Sequence, residues 1–395
     1  MTNGYRPLFN RKYLTGLMWF CLIAILILTS MGPGEVEYHS IEHNEQKNIY
    51  WMELDEQPII LTILLPTPPA LNTQQQQLQQ LKSQIVKSIL DSAPRAFSYS
   101  LTPRQDRVEI SMGWASGQPA PDIKTLFAEL QQPVHSEQWK TSLEKLQARE
   151  YIQSKTSEAQ LINTFMQTLQ PTQDIDPLQQ LNQNYQSMFN SPRFAVSGEE
   201  AEEVSELLQA LTENSDTSPV TTPATQPSGS NNIAAVDDKF HMLFGQTIAI
   251  RNSKEFLSQR LTAQVLQGLL KEYATQYGME YRLLSTSLND IGYRALILHG
   301  EQNPAAILGQ LQQLVSEELV EQSQILLSQQ WQERMRELRN QVQGLSLIAF
   351  YGLESDTLES HGEQLMDLDA DSIMEQAQQA LQIDQQFSIL QPPQH

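Results

Sequence analysis

His39-Ser-Ile-Glu42-His43 is the stretch of this sequence whose residue types and spacing spell metal chemistry. On a helix, residues i and i+4 share a face, so His39 and His43 would bind zinc together. Glu42 would then serve as general base on the bound water. Three features oppose that reading and favour a polar, membrane-proximal stalk. The motif precedes the first strand. It lies just beyond a long apolar run and Gly32-Pro33-Gly34, with no apolar face to pack it into a core. Finally, Glu109, Glu129 and Glu137 are equally arbitrary as third ligands.

The other titratable candidates are weaker. His135, His241, His299 and His361 are scattered and read as surface or core-edge histidines. There is no GxxxxGK[ST] or GxGxxG phosphate loop and no Gly-x-Ser-x-Gly elbow, so nucleotide and serine-hydrolase chemistry have no anchor. Glu199-Glu200-Ala-Glu202-Glu203 opens a helix, where carboxylates complement the helix dipole. Gln-rich stretches such as Gln74 to Gln80 and Gln302 to Gln343 read as solvated helix faces. Leu308, Leu311, Leu314, Leu319, Ile325 and Leu326 are expected to pack on their own module's sheet.

The 395 residues suggest two or three domains. With 25 Lys+Arg against 46 Asp+Glu, the chain carries a net charge of −21, which disfavours binding to nucleic-acid backbones. Cys21 is the single cysteine, so no disulfide framework and no cysteine-based zinc site exists within one chain. Residues 13–31, Tyr13 to Met31, carry no charge and come close to crossing a hydrocarbon core of about 30 Å. Arg6, Arg11 and Lys12 precede this run, while Glu35, Glu37, Glu42 and Glu45 follow it. The positive-inside rule therefore predicts a cytoplasmic basic tail over 1–12, a transmembrane anchor over 13–31 and a stalk over 32–47. In a bacterium this is a single-pass inner-membrane protein with its bulk in the periplasm. The exit Thr29-Ser30-Met31-Gly32-Pro33 is a poor signal-peptidase site, which favours an uncleaved helix.

Beyond the stalk, the order of elements repeats. Residues 48–213 are expected to hold strands at Asn48–Glu53 and Gln57–Pro66, then an amphipathic helix over Thr73–Asp91. A hairpin (Ala96–Leu101, Arg107–Trp114), helices at Asp122–Leu130 and Ser136–Gln170, a strand at Arg193–Ser197 and a helix at Glu199–Thr212 complete this first module. A Pro-, Ser- and Thr-rich linker is predicted over 214–232. Residues 233–391 repeat the order: strand His241–Ile250, helix Phe256–Tyr273, strands Glu280–Ser287 and Tyr293–Gly300, helices within Pro304–Gln343 and at Asp369–Leu381, and a strand at Phe387–Leu390. The fold class is α+β, two tandem modules, each an antiparallel-rich sheet packed with helices, behind the transmembrane segment.

Particular stretches carry a family resemblance. Phe256 to Leu270 (FLSQRLTAQVLQGLL) fits a first helix, and Tyr277 to Ser285 (YGMEYRLLS) a glycine-tyrosine lead into the next strand. Asp367 to Ala377 and Ser191 to Glu200 fit later elements. Over residues 48–390 the pattern resembles the pitrilysin/insulinase-type, mitochondrial processing peptidase-like zinc metallopeptidases. The resemblance implies a helix with His-x-x-Glu-His after the first strand pair and a further glutamate about 75 residues on. The corresponding helix, Thr73–Asp91, reads TQQQQLQQLKSQIVKSILD and has neither His nor Glu. The family's second-module tyrosine falls at Tyr281, but its arginine seven residues earlier is Ala274 here, next to the neighbouring distraction of Arg282. The resemblance thus implies a degenerate member with no catalytic residues, no metal and no cofactor. Such a protein would be a partner subunit of an active peptidase, a scaffold or a peptide-binding module. The alternatives are an active zinc endopeptidase using His39, Glu42 and His43, and a structural component of an envelope complex.

Overall fold

The computed structural model describes Met18 and residues 36–172, 175–212, 227–273 and 276–394. The expected basic tail, the expected anchor over 13–31 except Met18, and most of the expected linker lie outside the described residues. Tyr38–His395 form one compact unit.

The first half contains β1 (Glu42–His43), β2 (Ile49–Glu53), β3 (Ile59–Pro66), α1 (Thr73–Asp91), β4 (Ser98–Pro103), β5 (Arg107–Trp114), α2 (Ile123–Leu130), α3 (Lys140–Gln153), α4 (Ser157–Leu169), α5 (Pro177–Ser187), β6 (Arg193–Gly198) and α6 (Ala201–Thr212). The second contains β7 (Ser230–Asn232), β8 (Phe240–Ile248), α7 (Phe256–Tyr273), β9 (Met279–Ser287), β10 (Gly292–Gly300), α8 (Ala305–Gln313), α9 (Glu317–Met335), α10 (Leu338–Tyr351), α11 (Thr357–Met366), α12 (Ala370–Gln379) and β11 (Phe387–Gln391).

Sheet topology makes the repeat explicit. The first sheet runs β1-β2-β6-β3-β5-β4 and the second β7-β11-β8-β10-β9. In each, the half's last strand slots between two earlier ones, parallel to one (β6 on β2, β11 on β7) and antiparallel to the other (β6 on β3, β11 on β8). Only β1 lacks a counterpart among the described residues. The architecture is α+β, two mixed sheets covered by helices, as the element order predicts.

Local sequence explains the elements. Asn72 caps α1 by accepting from the Gln75 backbone N–H at 2.9 Å, and Leu78, Leu81, Ile85, Val86 and Leu90 line its buried stripe. The expected single helical stretch over Ser136–Gln170 is broken. Thr156 accepts from the Ala159 N–H and starts α4 as a separate helix. Likewise Ser316 caps α9 inside Pro304–Gln343, which becomes three helices reaching Tyr351. Leu308 and Leu311 pack in the second half's own core as expected, but Ile325 and Leu326 are exposed. Ser230–Asn232, at the end of the expected linker, pairs with β11.

The two halves exchange helices. After its hairpin, each half builds helices in sequence, and in each the third crosses to the other sheet. In the first half this is α4, whose Leu161, Phe165, Met166 and Leu169 join Leu243, Ile297, Phe387 and Ile389 of the second sheet in one cluster. In the second it is α10, which packs on β2, β3 and β6. Gly245 is required by this exchange: a Cβ there would sit 2.7 Å from the Phe165 ring. At the other joint, Gly352 ends α10 at φ 62°, a left-handed turn that suits glycine.

Candidate functional site

The structure removes the helix that the His39–His43 motif needs. Glu42 and His43 form β1, an edge strand paired antiparallel to β2 with Glu42 opposite Trp51 and His43 opposite Tyr50. Neighbours in a strand point to opposite faces, so Glu42 and His43 diverge. His43 Nδ1 lies 2.9 Å from the Asn44 carbonyl and its ring centroid 5.3 Å from that of Tyr50. His39 is anchored through its backbone N–H, which donates to Gln341 Oε1 at 3.4 Å. Within the segment expected as a stalk, Ile41 is buried and Glu42–His43 pair at the rim of the first sheet. The physical reason is strand pairing with β2, which satisfies backbone groups that a free stalk would leave to water.

The helix that would carry metal donors in the resembled family is α1. Its face holds three polar side chains at i, i+3 and i+4: Gln79, Lys82 and Ser83, all buried. This is the spacing of His-x-x-Glu-His with an amide, an ammonium and a hydroxyl in its place. Gln79 Nε2 is spent on the carbonyls of Arg104 and Arg107 (3.1 and 2.9 Å), and Ser83 Oγ donates to the Gln79 carbonyl. A cationic amine between two neutral groups repels a divalent cation, so this donor set does not fit zinc. Among the described residues no group of three His, Cys, Asp or Glu is placed to hold a metal ion.

Lys82 is the costly member. It is 2% exposed, and burial pulls its pKa down to about 8 with no charged neighbour contributing. Lys82→Met is therefore expected to stabilise the protein at pH 7 by up to about 3 kcal/mol, the value of the shift. The folded pKa lies below the unfolded one near 10.5, so the unfolded chain holds more protons between pH 8 and 10.5. Wild-type stability should rise with pH through that window, and the gap to the variant should close. Urea unfolding at pH 7 and at pH 10.5 measures both; a Met variant no more stable at pH 7 contradicts the argument.

The remaining histidines take structural partners. His135 is exposed. His241 Nε2 contacts Asp237 at 2.7 Å, and Ser157 Oγ donates to the same carboxylate at 3.0 Å. Asp237 sits between the serine and the histidine, so no hydroxyl faces an imidazole base and the trio is not a nucleophilic triad. His299 lies across the strand pair from His241 and contacts Glu280 at 3.1 Å. His361 is buried against Arg260. Tyr281 packs at the margin of the second core, Arg282 pairs with Glu158 of α4, and Ala274 lies outside the described residues.

Sequence reasoning passed over Arg251 and Arg260. They line a cleft of about 440 Å³ between α7, β9 and α9. Arg251 falls in no motif, and Arg260 lies within the Phe256–Leu270 stretch that carries the family resemblance, without a role there. Their only signal in the sequence is two arginines flanking the start of an amphipathic helix in a chain otherwise poor in cations.

With this geometry in hand, the class of fold can be stated: two α+β halves with matching strand order and exchanged helices are the fold of the M16 peptidases. The inactive domain of a peptidase M16 from Pseudomonas fluorescens matches with a TM-score of 0.66 at 13% identity, over 91% of this chain and 99% of that one. A protease from Helicobacter pylori matches with a TM-score of 0.62 at 12% identity, over 91% and 100%. A mutant of the ferredoxin protease FusC, in complex with Arabidopsis ferredoxin, gives 0.57 at 12% identity, over 92% of this chain and 47% of that one. No family model matches the sequence, and no curated protein is significantly similar to it.

Proposed function

We propose that this protein is a membrane-anchored, non-catalytic relative in fold of the M16 peptidases that holds a peptide or a protein partner. The observation that carries the reading is α1, where Gln79, Lys82 and Ser83 occupy a buried face at the spacing of the metal motif without its donors. The peptide-holding part is supported by the sheet edges: β4 and β9 end their sheets and pair on one side only. Such edges accept an extended segment by strand addition. An active subunit carrying its own zinc motif is the partner this arrangement suits best. The uncharged run over 13–31, with Arg6, Arg11 and Lys12 before it, supports an inner-membrane anchor with the bulk in the periplasm.

The test is purification of the full chain from detergent extracts. The expected result is no chelator-sensitive cleavage of unfolded casein, together with a second protein recovered in near-equal amount after cross-linking. Cleavage that vanishes on chelation and in Glu42→Gln overturns the reading. A chain that neither recruits a partner nor protects any peptide from added protease also overturns it.

A further inference from the structure

Arg251 and Arg260 are two largely buried guanidiniums without a carboxylate partner among the described residues, in a chain with 46 acidic and 25 basic residues. Arg251 follows β8 and stacks over the Phe256 ring at 4.0 Å. Its Nε is buried without an acceptor among the described residues. Arg260, one turn into α7, donates through Nη1 to His361 Nε2 at 2.8 Å. The imidazole packs against Trp331, with centroids 4.0 Å apart and the rings tilted by 34°. To accept this bond His361 must be neutral. Burial and the charges of Arg260 and Arg251 pull its pKa down to about 3. Burial, Arg251 and Arg334 likewise pull Arg260 down to about 10. Positive charges that reinforce one another in this way lack an anion.

The contrast with Arg107 is instructive. That guanidinium is also buried, and it has Asp106 at 2.8 Å and Glu109 at 2.7 Å. Other largely buried arginines are satisfied by neutral acceptors: Arg193 Nη1 donates to the Ala349 and Phe350 carbonyls and Arg294 Nη1 to Gln259 Oε1. Arg251 and Arg260 differ from them in lining one open cleft together. A buried cation without a counter-ion is costly, which makes the Arg251–Arg260 pair a place for a charge from outside the chain. Guanidiniums bind carboxylate and phosphate oxygens through fork-shaped donors. The cleft, at about 440 Å³, is far larger than an inorganic anion and falls in the range of small-molecule sites. Ile248, Leu283 and Leu327 give it apolar walls, and Ser285 supplies a hydroxyl, while the Ser287 hydroxyl donates to the Ala249 carbonyl.

We infer that the cleft between α7, β9 and α9 is a binding site for a small organic oxyanion, whose carboxylate or phosphate lies between Arg251 and Arg260 and whose apolar part lies against Ile248, Leu283 and Leu327. This inference does not depend on peptide binding at the sheet edges. Calorimetric titration of the full chain with benzoate, phenyl phosphate and benzamide tests it. At least one of the two anions should bind saturably, at least tenfold tighter than the neutral amide. Preference for benzoate identifies a carboxylate ligand, and preference for phenyl phosphate a phosphate ester. Arg260→Gln should weaken binding at least tenfold. Gln267→Glu, at an exposed lining position, should do the same by adding a negative charge while leaving both arginines and the core in place. Absence of saturation with either anion overturns the inference, as does equal binding of benzamide or unchanged affinity in Gln267→Glu.

Discussion

Phe165→Ala is expected to destabilise the protein by about 3–5 kcal/mol, the cost of deleting a fully buried aromatic ring. Phe165 belongs to α4, a helix of the first half, yet its ring lies in the second half's sheet cluster with no exposed surface. It stacks on Phe387 at 6.3 Å and meets Tyr293 edge-on at 6.3 Å. Beneath it the sheet has Gly245, where any side chain would occupy the ring's space. Truncation leaves a cavity that the glycine cannot fill and that the rigid strands β8 and β11 cannot close. Because the ring crosses from one half to the other, the loss should be felt by both. Calorimetry of the variant should show a single transition at lower temperature. A loss under about 1 kcal/mol, or a split in which only the second half melts early, would contradict the exchanged-helix account.

Asp106→Ala is the second large effect, at about 3 kcal/mol or more, because it breaks a buried charged network. Asp106 and Arg107 are almost fully buried at the start of β5. The Tyr351 hydroxyl, at the end of α10, donates to Asp106 Oδ2 at 2.8 Å, and Arg107 Nη1 donates to Asp106 Oδ1 at 2.8 Å. Arg107 lies over the Phe350 ring at 4.5 Å. Burial opposes the charge on Arg107, and Asp106 and Glu109 outweigh it. Removing Asp106 strips the tyrosine of its acceptor and halves the compensation of the arginine. Tyr351→Phe removes only the hydroxyl and should cost about 1–2 kcal/mol. The double variant should cost less than the two together, since both act through one bond. Denaturant unfolding of the three proteins measures this, and strict additivity would show that the joint between β5 and α10 is not a unit.

These two sites mark the boundary between what is legible in the sequence and what is not. The periodicity of Leu78, Leu81, Ile85 and Leu90 predicts α1, and the alternation in Arg107–Trp114 predicts β5, because both patterns are written by each element's own neighbours. The repeated order of elements implies the duplication, and the strand orders of the two sheets repeat it. The same local logic identifies a helix without His or Glu where the resembled peptidases carry their metal donors.

Other features depend on partners remote in the chain. Nothing near Phe165 announces that it crosses to the second sheet, since an apolar stripe fits either core equally well. The His39–Glu42–His43 spacing reads as a helical metal motif only if those residues are helical, and pairing with β2 makes them an edge strand. Arg251 and Arg260 are unremarkable residues nine positions apart until α7 and α9 close a cleft around them without supplying an acid. The sequence alone determined the kinds of element, their repetition and the chemistry missing from α1. The tertiary structure decided which helix covers which sheet and which charges are buried unpaired, because those outcomes depend on packing and desolvation between segments as distant as Arg260 and His361.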